Sequence, residues 1–233
     1  MATAAPLILL PGLLCDASLW AHQIGTLGDL IKVSVADLTR DRSVSEMARR
    51  VLVSAPERFS LAGLSMGGYV AQEIMRQAPD RVERLALLDT SALADTPEQT
   101  ERRRGLIAMV EQGEFKGVTN RLLPLLIHRD RLDDPGLTET VKTMAAAVGK
   151  DAFLRQQRAI MTRPDGRRDL GLIRCPTLVL CGRQDALTPA DDHAAMAAAI
   201  SGAKLVIVED CGHLAPLERP HAVSAVMRYW LQV

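Results

Sequence analysis

Residues 61–68 read LAGLSMGG, three glycines and one serine placed directly after an apolar run and directly before a run with helical character. Within it, Gly63-Leu64-Ser65-Met66-Gly67 is a G-x-S-x-G pattern at the junction of a strand candidate (59–65) and a helix candidate (66–78). In that setting the serine sits on a tight, strained strand-to-helix turn, and the positions two before and two after it must lack a Cβ so that strand and helix can close on each other. The glycines therefore present one hydroxyl. The same turn leaves the N–H of Met66 at a helix N-terminus, where aligned peptide dipoles favour developing negative charge.

Outward from this turn, apolar runs recur at 6–12, 32–38, 82–89, 177–182 and 204–210, rich in Val, Ile and Leu and without clean alternation. Such runs suit strands buried on both faces. Helix candidates lie between them, near 17–29, 43–54, 190–200 and 216–231, with Pro79 and Gly202 marking two helix ends. Strand and helix in alternation imply a parallel sheet covered by helices, because parallel strands need a crossover connection. From about 92 to 171 the rhythm stops: no strand candidate appears, and the apolar groups GLIAMV, RLLPLLI and VKTMAAAV favour helices. A structureless loop of that length is implausible, so the interval reads as a helical insertion, entered by ADTPEQTERRR and left by TRPDGRRD, both read as polar linkers. The division is a core of 1–91 and 172–233 and an insertion of 92–171.

A serine hydroxyl is a weak nucleophile and needs a histidine base, itself oriented by a third group. Of five histidines, His22, His128, His193 and His221 lie in helix-like stretches and read as surface groups. His213, in VEDCGHLAPLERP, falls in the turn after the strand 204–210, on the sheet edge that carries Ser65 and where α/β sheets place ligands. Asp185, in LVLCGRQDALTP, follows the strand 177–182 at the same edge and is the expected orienting carboxylate; Asp89, ending LALLD, competes for the role. A second backbone donor, beside Met66, is expected from Leu13 in LLPGLLCDASLW, where Gly12 lets the chain turn.

Lys plus Arg and Asp plus Glu each number 28 in 233 residues, and neither sign forms a block, so a nucleic-acid partner is not expected. No membrane span or targeting segment stands out, and the reading is a soluble cytoplasmic protein. The four cysteines show neither close pairing nor metal-type spacing; they read as free thiols, with Cys15 and Cys211 as packing residues. No spacing implies a metal or an organic cofactor.

With these motifs in place, the chain resembles the α/β-hydrolase superfamily, specifically its compact serine hydrolases with a helical cap inserted after the strand that follows the nucleophile helix. The resemblance rests on LLPGLLCDASLW, AGLSMGGYVA, CGRQDALTP and DCGHLAPLERP in that order, and it implies a mostly parallel, six-stranded sheet with helices on both faces. Two departures stand out. Pro11-Gly12 replaces a frequent His-Gly, and the usual opening antiparallel pair of strands is missing. The resemblance and the local chemistry imply acyl transfer through an acyl-enzyme, with Ser65, His213 and Asp185 as triad and Leu13 and Met66 N–H as oxyanion hole. Leu106, Ile107, Met109, Leu122, Leu123, Leu125, Leu126 and Met144 would give an apolar roof suited to small or medium carboxylic esters or lactones. Acyltransferase, thioesterase and cofactor-free perhydrolase or haloperoxidase chemistry would use the same residues, and a catalytically silent ligand receptor is the non-enzyme reading.

Overall fold

The computed structural model describes residues 5–233. In chain order it runs β1 (Leu7–Leu10), a 3-10 turn (Ala17–Trp20), α1 (Ala21–Leu27), β2 (Val33–Val35), α2 (Val44–Ser54), β3 (Phe59–Leu64), α3 (Met66–Gln77) and β4 (Val82–Leu88). Helices α4 (Pro97–Glu111), α5 (Leu123–Leu126), α6 (Pro135–Met161) and α7 (Arg167–Leu170) follow. The chain ends with β5 (Thr177–Gly182), α8 (Ala190–Ala199), β6 (Lys204–Val208), α9 (Ala215–Glu218) and α10 (Pro220–Gln232).

The six strands form one sheet in the order β2-β1-β3-β4-β5-β6, every neighbouring pair parallel. The pleat explains the unbroken apolar runs, since successive side chains feed opposite cores. Ile8, Leu10, Leu61, Leu85, Leu87 and Val179 pack with α2, α3 and α8 on one face. Leu7, Leu9, Ala62, Leu64, Ala86, Leu88, Leu178 and Leu180 pack with α1 and α10 on the other. The edges are less buried: β2 alternates half-buried and exposed residues, and β6 begins with exposed Lys204 and Leu205. Reversal of strand order beside β1 and β3 puts the crevice at the carboxyl ends of the central strands, where Ser65 lies.

Between β4 and β5 there are only helices and turns. The polar stretch expected as an entering linker is instead the start of α4: Thr96 caps it and Gln99 reaches back to the Thr96 N–H, with Pro97 at the first helical position. Helix α6 is two helical lengths joined at Gly149, whose φ of 78° breaks the spiral. Helix candidate 17–29, capped at its start by Asp16, divides between Trp20, the end of the 3-10 turn, and Ala21, the start of α1, and 216–231 divides at Arg219, ahead of Pro220.

The segment's two ends are tied together at the core. Asp95 is salt-bridged to Arg163 at 2.6 Å and to Arg103 at 2.7 Å, and the Arg163 guanidinium lies over the Tyr69 ring, 4.2 Å from its centroid. Arg103 and Arg163, in the two stretches expected as polar linkers, are thus part of a clasp around the buried Asp95. Among the described residues no helix is long and apolar enough to cross a membrane.

Candidate active site

Strand β3 delivers Ser65 to the sheet edge at φ 53° and ψ −116°, a region costly for a residue with a Cβ. Its N–H is held by the Leu88 carbonyl at 3.0 Å, and its carbonyl accepts a 2.8 Å bond from Thr90 Oγ1. A Cβ on Gly63 would run into the Gly67 carbonyl, and one on Gly67 into the Leu10 carbonyl. The two glycines of the pattern are therefore required by backbone approach, as the motif implies.

The Ser65 hydroxyl lies 2.9 Å from His213 Nε2, and His213 Nδ1 lies 2.8 Å from Asp185 Oδ2. Three residues from three turns, widely separated in sequence, are brought into one hydrogen-bonded line. Asp185 is held firmly: Oδ1 accepts from the N–H groups of Leu187 (2.8 Å) and Thr188 (3.0 Å), and Oδ2 accepts from Thr188 Oγ1 (2.6 Å). Burial pushes its carboxyl up, but the adjacent His213 and the bonds from His213 and Thr188 outweigh this and hold it below the ordinary carboxylate value.

The loop after β1 comes against this line. Gly12 is so close that a Cβ there would stand 3.4 Å from Ser65 Cβ. Met66 is the first residue of α3, so its N–H has no partner within the helix. Leu13 N–H, on the facing loop, makes no hydrogen bond among the described residues. The arrangement aligns one hydroxyl, one imidazole and one fixed carboxylate, with the Gly12 loop packed against the serine.

A family model described as "Alpha/beta hydrolase family" matches residues 7–226. The chain belongs to the alpha/beta hydrolase family. It is 27% identical, over 228 residues, to the pimeloyl-[acyl-carrier protein] methyl ester esterase of Nitrosomonas europaea, covering 92% of this chain and 90% of that one. A thermophilic esterase from Thermogutta terrifontis, solved with malate bound, superposes with a TM-score of 0.89 at 30% identity, over 99% of this chain and 90% of its own. The enol-lactonase from Burkholderia xenovorans shares the fold, with a TM-score of 0.88 at 24% identity over 98% of this chain and 92% of that one.

In this alpha/beta hydrolase, Asp89 does not reach the histidine. Its carboxylate turns inward, accepting from the N–H of Gly182 (2.9 Å) and of Ala215 (3.3 Å), and burial, together with the Asp185 charge, pushes it well above the ordinary value. His193 and His128 are buried, contrary to the surface reading; His193 Nε2 accepts from Thr90 N–H at 2.9 Å while Nδ1 faces the Pro189 carbonyl at 3.1 Å. The alanine-rich surroundings of His193 concealed this, because Ala marks exposed and buried helix faces alike.

Glu218 is another buried group that the motif reading passed over. Its carboxylate accepts from Gly212 N–H (2.9 Å), Leu214 N–H (3.3 Å) and His128 N–H (2.6 Å), so it grips the peptide on both sides of His213. Its signal was present in the quoted motif, five residues after His213. Cys15 and Cys211 are buried and burial pushes both thiols up, Cys15 to about 12, which suits packing rather than reactivity. Among the described residues no group of three or more His, Cys, Asp or Glu side chains could hold a metal ion.

The apolar residues of the 92–171 segment divide. Ile107, Leu123 and Met144 are buried, whereas Leu106, Met109, Leu122 and Leu125 are exposed. Ile107 joins Val110, Ala145, Phe153 and Leu154 around Leu14, on the loop that faces Ser65.

Proposed function

We propose that this chain is a serine hydrolase of carboxylic esters that works through an acyl-enzyme. The single observation that carries the reading is the continuous line from Ser65 Oγ through His213 to Asp185, with contacts of 2.9 and 2.8 Å. As Ser65 attacks the ester carbonyl, His213 takes its proton at Nε2 and returns it to the leaving alkoxide, which departs as the alcohol. Asp185 holds the Nδ1 proton and stabilises the imidazolium. The Leu13 and Met66 N–H groups stabilise the oxyanion. A water deprotonated by His213 then releases the acid and restores Ser65.

In this reading residues 92–171 form a cap over the core. The substrate in this reading is an ester with a small or medium, apolar acyl or alkyl group, in keeping with the apolar residues that α4 and α6 bring beside the loop after β1. The Nitrosomonas and Thermogutta relatives, which match most of this chain, are themselves esterases.

The test is hydrolysis of p-nitrophenyl esters of increasing chain length by wild type and Ser65→Ala. Saturable turnover with a chain-length optimum, lost on the order of a millionfold in the variant, is the expected outcome. Equal rates in the two proteins would refute the proposal.

A further inference from the structure

Gln156 lies on α6, far from Ser65 in sequence, and its side chain is fully buried. Its Oε1 accepts from the Leu14 N–H at 3.1 Å, and its Nε2 donates to the Leu38 carbonyl at 3.2 Å. One amide thus spans the loop after β1 and the loop after β2, both at the carboxyl edge of the sheet. The neighbouring Arg155 reinforces the second attachment, with Nε donating to the Thr39 carbonyl at 2.7 Å.

Leu14 has φ 59°, a left-handed conformation that a leucine holds only where its surroundings impose it. Two restraints meet on it: its side chain is buried with Phe153 and Ile107, and its N–H is bonded to Gln156. The turn closes through Cys15 N–H to the Gly12 carbonyl at 3.1 Å. Cys15 Sγ also reaches this backbone, 3.5 Å from the Leu13 carbonyl, but a thiol is a weak donor. Leu13 lies between Gly12, which abuts Ser65, and Leu14, which Gln156 holds, so the direction of its N–H depends on both.

We infer that Gln156 is a positioning residue: by bonding the Leu14 N–H it fixes the loop so that the Leu13 N–H faces the oxyanion formed on Ser65. This rests on the serine-hydrolase reading and adds to it a dependence of the oxyanion hole on the inserted helices. A segment read as substrate roof also sets the rate of the chemical step.

The experiment compares wild type, Gln156→Leu, Gln156→Glu and Gln157→Leu by kcat, KM, thermal midpoint, and inhibition by an alkyl trifluoromethyl ketone, whose serine adduct carries the oxyanion. Gln156→Leu removes both bonds; kcat is expected to fall on the order of 100-fold. KM should stay within about threefold, and inhibitor affinity should fall in parallel with kcat. Gln156→Glu keeps an acceptor for Leu14 and should lie within about tenfold of wild-type kcat. Gln157→Leu, next to Gln156 on α6, loses the 2.8 Å bond from Arg103 of α4 and should lower the midpoint and leave kcat unchanged.

A folded Gln156→Leu with wild-type kcat and inhibitor affinity overturns the inference, as does a Gln157→Leu that loses kcat equally. If Gln156→Leu does not fold, Gln156→Glu decides, and a 100-fold loss there contradicts the inference. If the wild type hydrolyses no ester, reading and inference fall together. Active wild type, inactive Ser65→Ala and unimpaired Gln156→Leu would remove the inference alone.

Discussion

Asp185 meets His213 through Oδ2 at 2.8 Å, while its other oxygen is taken by the N–H groups of Leu187 and Thr188. A carboxylate tied down on both oxygens has one orientation, and it passes that orientation to the imidazole. Asp185→Asn should therefore keep the fold and lose on the order of 10,000-fold in kcat, through the wrong imidazole tautomer. Asp89→Asn should retain activity within about tenfold, because the Asp89 oxygens face Gly182 and Ala215. Steady-state kinetics on the two variants separates the carboxylates, and the reverse ranking would reassign the triad.

Asp89 should instead show itself in stability against pH. Burial and the Asp185 charge raise its folded value well above the ordinary 3.8, so the folded state holds the proton more tightly than the unfolded chain. That contribution is fully present below 3.8 and is lost as pH rises through the raised folded value. Urea unfolding at a series of pH values should show the loss in wild type and its absence in Asp89→Asn.

His193 works in the opposite sense. Burial draws its ring below the ordinary 6.5, against the Pro189 carbonyl and the Asp185 charge, which favour the protonated form. Its contribution to stability is present above pH 6.5 and is lost as pH falls from there through the lowered folded value. His193→Gln should flatten this part of the curve, by at most about 1.4 kcal/mol per pH unit for one proton. An unchanged slope would place the acid sensitivity elsewhere.

The legibility of the sequence follows from how locally each feature is determined. The glycines around Ser65 are demanded by the close approach of strand and helix backbone that the motif itself encodes, so the elbow could be read directly, and the four central strands, largely buried on both faces, announced the parallel sheet through their Val, Ile and Leu. His213 and Asp185 were readable as positions because each follows a strand at the same edge; their distances are tertiary facts. Gln156 left no local mark, since a glutamine in a helix is ordinary and its partners, Leu14 and Leu38, lie more than a hundred residues away. Arg163 was misread for the same reason: a charged residue beside Pro164 suggests a linker, and only the fold brings Asp95 to it.

That clasp makes a measurable claim on stability. The Asp95 and Arg163 side chains are 2% and 6% exposed, so Arg163→Met would leave a buried carboxylate with Arg103 as its remaining ion pair. A loss of about 3 kcal/mol is expected, against less than about 1 kcal/mol for breaking the exposed Arg104–Glu101 pair. Denaturant midpoints of Arg163→Met and Arg104→Met would show whether burial sets the difference.

The most direct measurement is the mass of the intact protein, and then of its peptides, after reaction with a fluorophosphonate. One adduct should form, on the peptide carrying Ser65, and labelling should be absent in Ser65→Ala and strongly slowed in His213→Ala. Labelling at another residue, or none in a folded wild-type protein, would contradict the assignment of Ser65 as the nucleophile.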